Sequence, residues 1–196
     1  MSIVKAKDKN GNWFRVSSVK SIQGQGGDTS FWDTFQTIGE RKNYEYAFYG
    51  IGWNDSNYTP KYSFGKPTHL TAMFNGCGIT DTLFPIDATT NPTSHSMIFL
   101  NASKLITIRK IIVNSATTFL RWFNGCKALV NIEFEGEIGN DISFAVASLL
   151  SNESVQNIID HLTSVSTAKT VTFHANIVLS EAQKTTINSK GWTLVQ

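Results

Sequence analysis

Apolar positions in the middle of this chain recur with a long period rather than a short one. Four segments align: Ala47-Phe48-Tyr49-Gly50, Met73-Phe74-Asn75-Gly76-Cys77, Ile98-Phe99-Leu100-Asn101-Ala102 and Trp122-Phe123-Asn124-Gly125-Cys126. Their phenylalanines stand at 48, 74, 99 and 123, at spacings of 26, 25 and 24. In the last two copies the register continues, Leu105 matching Leu129 and Ile108 matching Ile132, which gives Phe-x-x-Cys/Ala-x-x-Leu-x-x-Ile. The first copy keeps only Phe and Gly, and the second has Ile79 one place early. Self-similarity at roughly 20–50 residues indicates stacked supersecondary units. One copy has too few apolar groups to close a core, whereas stacked copies set Phe over Phe and Leu over Leu in a continuous column. Each buried Leu, Ile or Phe then contributes ~1.5–3 kcal/mol before entropy is subtracted. Asn75-Gly76 and Asn124-Gly125 suit tight bends, since both residue types tolerate positive φ. Short parallel strands are expected after the bends, at about 105–113 and 129–135. In repeat register Arg109 would lie beside Glu133, an exposed pair contributing well under ~1 kcal/mol.

The flanks read differently. Ser2-Ile3-Val4-Lys5-Ala6-Lys7 alternates, Asn10-Gly11 supplies a turn signal and Trp13-Phe14-Arg15-Val16 begins a return strand, which predicts an N-terminal β-hairpin. A lone hairpin is marginal in water, so it should pack on the chain or on a partner. Gln23-Gly24-Gln25-Gly26-Gly27-Asp28 is a glycine-rich break. After residue 143, Val155, Ile158, Ile159 and Leu162 have the spacing of an amphipathic helix. Residues 169–175 alternate as a strand. Ser180-Glu181-Ala182-Gln183 is a capping box opening a second helix. Lys190-Gly191 suits its stop, and Trp192-Thr193-Leu194-Val195 a last strand. The expected organisation is an N-terminal hairpin and linker over 1–28, a repeat solenoid over 29–143 and a β-α-β cap over 144–196. The fold class is α/β, β-rich, with parallel strands; a cap closes the core and strand edge that an open array exposes.

Composition narrows the function. Of the 196 residues 41% are hydrophobic and 16% charged, with 17 basic and 15 acidic side chains for a net +2. Charged runs are short, as at Glu40-Arg41-Lys42. A phosphate-tracking stripe for nucleic acid is therefore not expected. No segment approaches the ~20 apolar residues of a membrane span. The opening residues carry no apolar run after their charges, so no signal peptide is expected. Asn, Thr and Ser are nonetheless abundant, as on proteins that work at an exposed surface.

Candidate chemistry is sparse. Cys77 and Cys126 occupy equivalent repeat positions, ~10 Å apart at about 5 Å per strand, too far for a disulfide. Buried packing is the plainer reading over a thiol nucleophile, for which no base is placed. His69, His95, His161 and His174 are scattered and read as surface or cap residues rather than ligands. Glu133, Glu135 and Glu137 alternate along one strand face. They could hold Ca²⁺ or serve glycoside hydrolysis; a solvated face balanced by Arg109 and Lys110 is the plainer reading. No catalytic residue, metal or cofactor is assigned.

The most informative stretch is Tyr49-Gly50-Ile51-Gly52-Trp53-Asn54-Asp55-Ser56-Asn57-Tyr58-Thr59-Pro60-Lys61-Tyr62. Trp53, Tyr58 and Tyr62 offer flat apolar faces beside the hydrogen-bonding Asn54, Asp55 and Asn57. Sugar sites use that mixture, and so do aromatic seals over the open end of a repeat array. These six residues are the candidate binding site.

Trp122-Phe123-Asn124-Gly125-Cys126-Lys127-Ala128-Leu129-Val130-Asn131-Ile132 resembles the BspA-type leucine-rich repeat. The whole chain is similar to proteins encoded in prophages of gut bacteria. Lys7-Asp8-Lys9-Asn10-Gly11-Asn12-Trp13 resembles the opening of phage tail and baseplate proteins. Phe31-Trp32-Asp33-Thr34-Phe35-Gln36 with Tyr46-Ala47-Phe48-Tyr49-Gly50 resembles the entry to their repeats, and Ser154-Val155-Gln156-Asn157-Ile158-Ile159 with Lys190-Gly191-Trp192-Thr193 their closing cap. Ala102, where Cys is expected, departs from the pattern. The resemblance implies a leucine-rich-repeat-like solenoid without catalytic residues, in a virion structural or tail protein. It would dock on other virion proteins through the hairpin, self-associate as a homo-oligomer and meet a host surface protein or glycan, with no nucleic acid and no membrane insertion. The expected location is the virion. A bacterial cell-surface adhesin binding host protein or glycan is the alternative.

Overall fold

A computed structural model of the chain describes residues 4–7, 13–16, 45, 67–82 and 85–196. It divides into two compact units, Met1–Glu40 and Arg41–Gln196. In the first, β1 (Val4–Lys7) and β2 (Trp13–Val16) pair antiparallel, Val4 opposite Val16 and Lys7 opposite Trp13. The hairpin is thus present, while its Asn10-Gly11 turn and the 24–28 break lie outside the described residues.

The second unit is mixed α/β with parallel strands. Strands β3 (Pro85–Asp87), β4 (Thr107–Val113) and β5 (Asn131–Gly136) form one three-stranded sheet. Strands β6 (Ile142–Phe144), β7 (Lys169–Phe173) and β8 (Trp192–Val195) form another. Every neighbouring pair in both is parallel. Helix α1 (Asn152–His161) follows β6, and α2 (Glu181–Ser189) lies between β7 and β8. The strands at 105–113 and 129–135, the helix at 154–162 and the capping box at Ser180 all appear within two or three residues of their predicted bounds.

The core is a column of phenylalanine rings. Phe74 stacks on Phe99 at 5.6 Å and 6°, and Phe99 on Phe123 at 5.9 Å and 11°. These rings lie in the bends, which stack in step with the parallel strands spaced at ~4.8 Å and so set equivalent rings one above another. The column does not stop at residue 143. Phe123 stacks on Phe144 at 4.7 Å, and Phe144 on Phe173 at 5.9 Å. Phe144-x-x-Ala147-x-x-Leu150 is a further copy of the motif, with Ala147 and Leu150 buried. Its backbone turns likewise: Ala147 N donates to Phe144 O at 3.0 Å, as Cys126 N does to Phe123 O at 3.1 Å.

The bends at Phe74, Phe99 and Phe123 each carry two left-handed residues four apart: Ala72 (φ 53°) and Gly76 (64°), Met97 (56°) and Asn101 (59°), Arg121 (57°) and Gly125 (86°). Successive bends hydrogen-bond directly, Phe74 N to Ile98 O at 2.7 Å and Phe99 N to Trp122 O at 3.1 Å. Beyond the strands, asparagine amides tie loop to loop. Asn91 Nδ2 donates to Thr68 O (3.4 Å), Asn114 Nδ2 to Thr89 O (3.2 Å) and Asn140 Nδ2 to both Ser115 O and Thr117 O (3.2 Å each).

The edge of β5 is closed by side chains of α1. Ser154 Oγ accepts from Ile132 N at 2.9 Å, and Asn157 Oδ1 from Phe134 N at 2.7 Å. Helix α1 starts on the Ser151 cap, whose side chain accepts from Ser154 N. Its far end is held by Lys190, whose Nζ donates to Ile159 O and Asp160 O at 2.9 Å each.

Candidate functional site

Trp53, Asn54, Asp55, Asn57, Tyr58 and Tyr62 lie outside the described residues, so the site built here is the surface that the described strands and helices present.

The outward face of β4 and β5 is charged because their alternate residues face away from the phenylalanine column. Arg109 does not meet Glu133 as repeat register predicts. Ile108 pairs with Ile132 but Ile111 with Phe134, so β4 carries one extra residue across an irregularity. That slip turns Arg109 back toward Asp81, which it meets at 2.9 Å through Nη2 and 3.0 Å through Nε. Lys110 takes Glu133 at 3.2 Å and Glu135 at 3.0 Å. Hydrogen bonding to Asp81 raises the Arg109 pKa, and hydrogen bonding to Glu135 and Glu133 raises that of Lys110. Glu137 does not share the strand face. It follows Gly136, whose φ of 92° ends β5 and redirects the chain. The two remaining carboxylates converge on one ammonium. Among the described residues no group of three or more His, Cys, Asp or Glu could hold a metal ion.

Both cysteines are buried and free. Burial pushes the Cys77 thiol up to about 11 and the Cys126 thiol up to about 12. Cys126 Sγ donates to Phe99 O at 3.1 Å, so it packs as a small apolar group with one directed contact.

Among the histidines, His95 overturns its reading as a surface or cap residue: it is fully buried. It stands four residues before Phe99, and Leu70 and Phe119 stand four before Phe74 and Phe123; both are buried. The repeat extended four places backward would have marked this position as interior. Its backbone carbonyl also accepts from Trp122 Nε1 at 2.9 Å.

A cleft of about 400 Å³ between the first turns of α1 and α2 has no counterpart in the sequence reading. Its lining is uncharged, including Asn152, Gln156, Gln183 and the highly exposed Val178. Gln183 Nε2 donates to Gln156 Oε1 at 3.1 Å, and Gln156 Nε2 to Asp160 Oδ1 at 2.7 Å. The Gln183 amide reaches Gln156 only after α1 and α2 have packed, 27 residues apart in sequence.

No family model, no curated protein and no solved structure matches the chain.

Proposed function

We propose that the chain is a non-enzymatic solenoid of the BspA-type leucine-rich-repeat kind, a phage or prophage structural or tail-associated protein that presents its repeats for host-surface recognition. The observation that carries this reading is the five-membered phenylalanine column from Phe74 to Phe173, bound turn to turn by backbone hydrogen bonds. Each turn adds a rung of outward-facing residues at little cost in design, which suits a display surface rather than a catalytic cleft. The row of Asp81, Arg109, Lys110, Glu133 and Glu135 is ion-paired throughout and leaves a single excess negative charge, which fits a surface that docks through shape and neutral hydrogen bonds. The aromatic stretch with Trp53, Tyr58 and Tyr62 then supplies the contact with a host glycan or protein, and the N-terminal hairpin the attachment to other virion proteins.

Light scattering on the intact chain and on a chain lacking residues 1–28 tests attachment. An oligomer that becomes monomeric on truncation supports assembly through the N-terminal segment. A monomer in both forms shifts the reading to a cell-surface adhesin. Glycan-array binding tests recognition: Trp53→Ala is expected to weaken each positive signal by about tenfold, the loss of one aromatic anchor, and unchanged binding removes this site.

A further inference from the structure

His95 is held between two backbone groups that accept only one protonation state. Leu70 N donates to His95 Nδ1 at 3.2 Å, and His95 Nε2 lies 2.8 Å from Thr90 O. An amide N–H can only donate, so Nδ1 must be bare; a carbonyl can only accept, so Nε2 must carry the proton. The network therefore admits the neutral ring and excludes the imidazolium, whose Nδ1–H would point at the Leu70 N–H. The ring is buried, so that clash is not relieved by exposure to solvent. The ring joins two successive turns: Leu70 precedes the Phe74 bend, and Thr90 and His95 precede the Phe99 bend. Ala72 N to Ser96 O, at 2.9 Å, closes the same junction.

We propose that His95 is a proton-sensitive latch, which holds residues 67–74 against residues 90–96 while neutral and releases that junction when protonated. Burial lowers its pKa below the ordinary value; the Thr90 carbonyl opposes this, His69 adds to the lowering and Asp87 opposes it. Among the described residues, His69 and Asp87 are the titratable groups that act on the ring. Because the folded-state pKa is depressed, the stabilisation is complete above the unfolded value near ~6.5 and is lost as pH falls through the folded one. Phe123, Phe144 and Phe173 lie beyond the junction in the column. Acid therefore loosens the 67–96 junction first.

Amide hydrogen exchange on the full chain, corrected for intrinsic rates, tests this at about pH 7.5 and about pH 5, either side of the usual imidazole range. The expected result is faster exchange in 67–99 at the lower pH, with 131–173 protected. One proton limits the gain to roughly tenfold per pH unit. His95→Gln keeps an acceptor and a donor but cannot titrate, so its exchange should not depend on pH, whereas His69→Gln should behave as the parent does. An equal pH response in His95→Gln, or its loss in His69→Gln, overturns the latch. If His95→Gln does not fold, long-range ¹H–¹⁵N spectra of the parent decide. A bare Nδ1 and titration below the ordinary value support the latch; a protonated Nδ1, or titration at or above that value, overturns it.

Discussion

Two glycines with the same backbone sign carry different burdens. Gly76 (φ 64°) has open space where a Cβ would stand, whereas a Cβ on Gly136 (φ 92°) would lie 2.0 Å from Val113 O. Gly76→Ala should therefore lower stability by ~1 kcal/mol, the left-handed cost alone. Gly136→Ala should lower it by ~3 kcal/mol or more, because β4 and β5 must part to admit the methyl. Urea denaturation of both variants checks the ranking; similar midpoints would mean that the close approach of Gly136 to Val113 is not maintained in solution. Met97 and Asn101 show that a left-handed site need not hold glycine where a neighbouring turn supplies the hydrogen bond, from Met97 N to Leu120 O at 2.8 Å and from Asn101 N to Asn124 O at 2.7 Å.

Strand β5 would present a row of unpaired donors without α1. Ser154 and Asn157 accept two of them, so the helix acts as a hydrogen-bonding edge as well as an apolar lid. Removing either acceptor leaves a sequestered N–H unpaired, at ~1–3 kcal/mol each. Ser154→Ala should speed exchange at Ile132 and Asn157→Ala at Phe134, each leaving the other amide protected. Equal effects of both variants on both amides would mean the helix docks as a unit and these bonds are incidental. Ser154 and Asn157 sit one turn apart on the face that also buries Val155 and Ile158, which lets one helix face serve both purposes.

The column passes through the whole of the described second unit, and its middle ring joins the two sheets: Phe123 stacks on Phe99 below and Phe144 above. Phe123→Ala should lower stability by ~3–5 kcal/mol, the range for a buried aromatic truncated to a methyl. It should also uncouple the halves. In denaturant, amides of β3 and β4 are expected to lose protection before those of β7 and β8, where the parent loses both together. A single transition in the variant would place the coupling elsewhere, in the Ser154 and Asn157 bonds to β5 or the Asn140 ties to Ser115 and Thr117.

What the sequence determined by itself is what depends on neighbours a few places apart or one repeat away. The 3.6-residue spacing drew α1, the serine–glutamine pair capped α2, the alternation at 4–7 drew the hairpin, and the 24–26 period drew the rings of Phe74, Phe99 and Phe123. The strand order and the joining of the last two rings needed the tertiary structure. Phe144 follows Phe123 by 21 residues and Phe173 follows Phe144 by 29, the longer interval holding α1, so rungs of fixed height are separated by a variable length of chain. A fixed-period search cannot see such a rung, although stacking geometry does. The same reason displaced Arg109 from Glu133: one extra residue in β4 is invisible in the repeat pattern, yet it selects which carboxylate each cation meets. The interior place of His95 was within reach of the repeat, four places before Phe99, but its two backbone partners, one five residues away and one a repeat away, were decided by the tertiary structure. The aromatic stretch at 53–62, by contrast, stands on composition alone, and the Trp53→Ala measurement is its test.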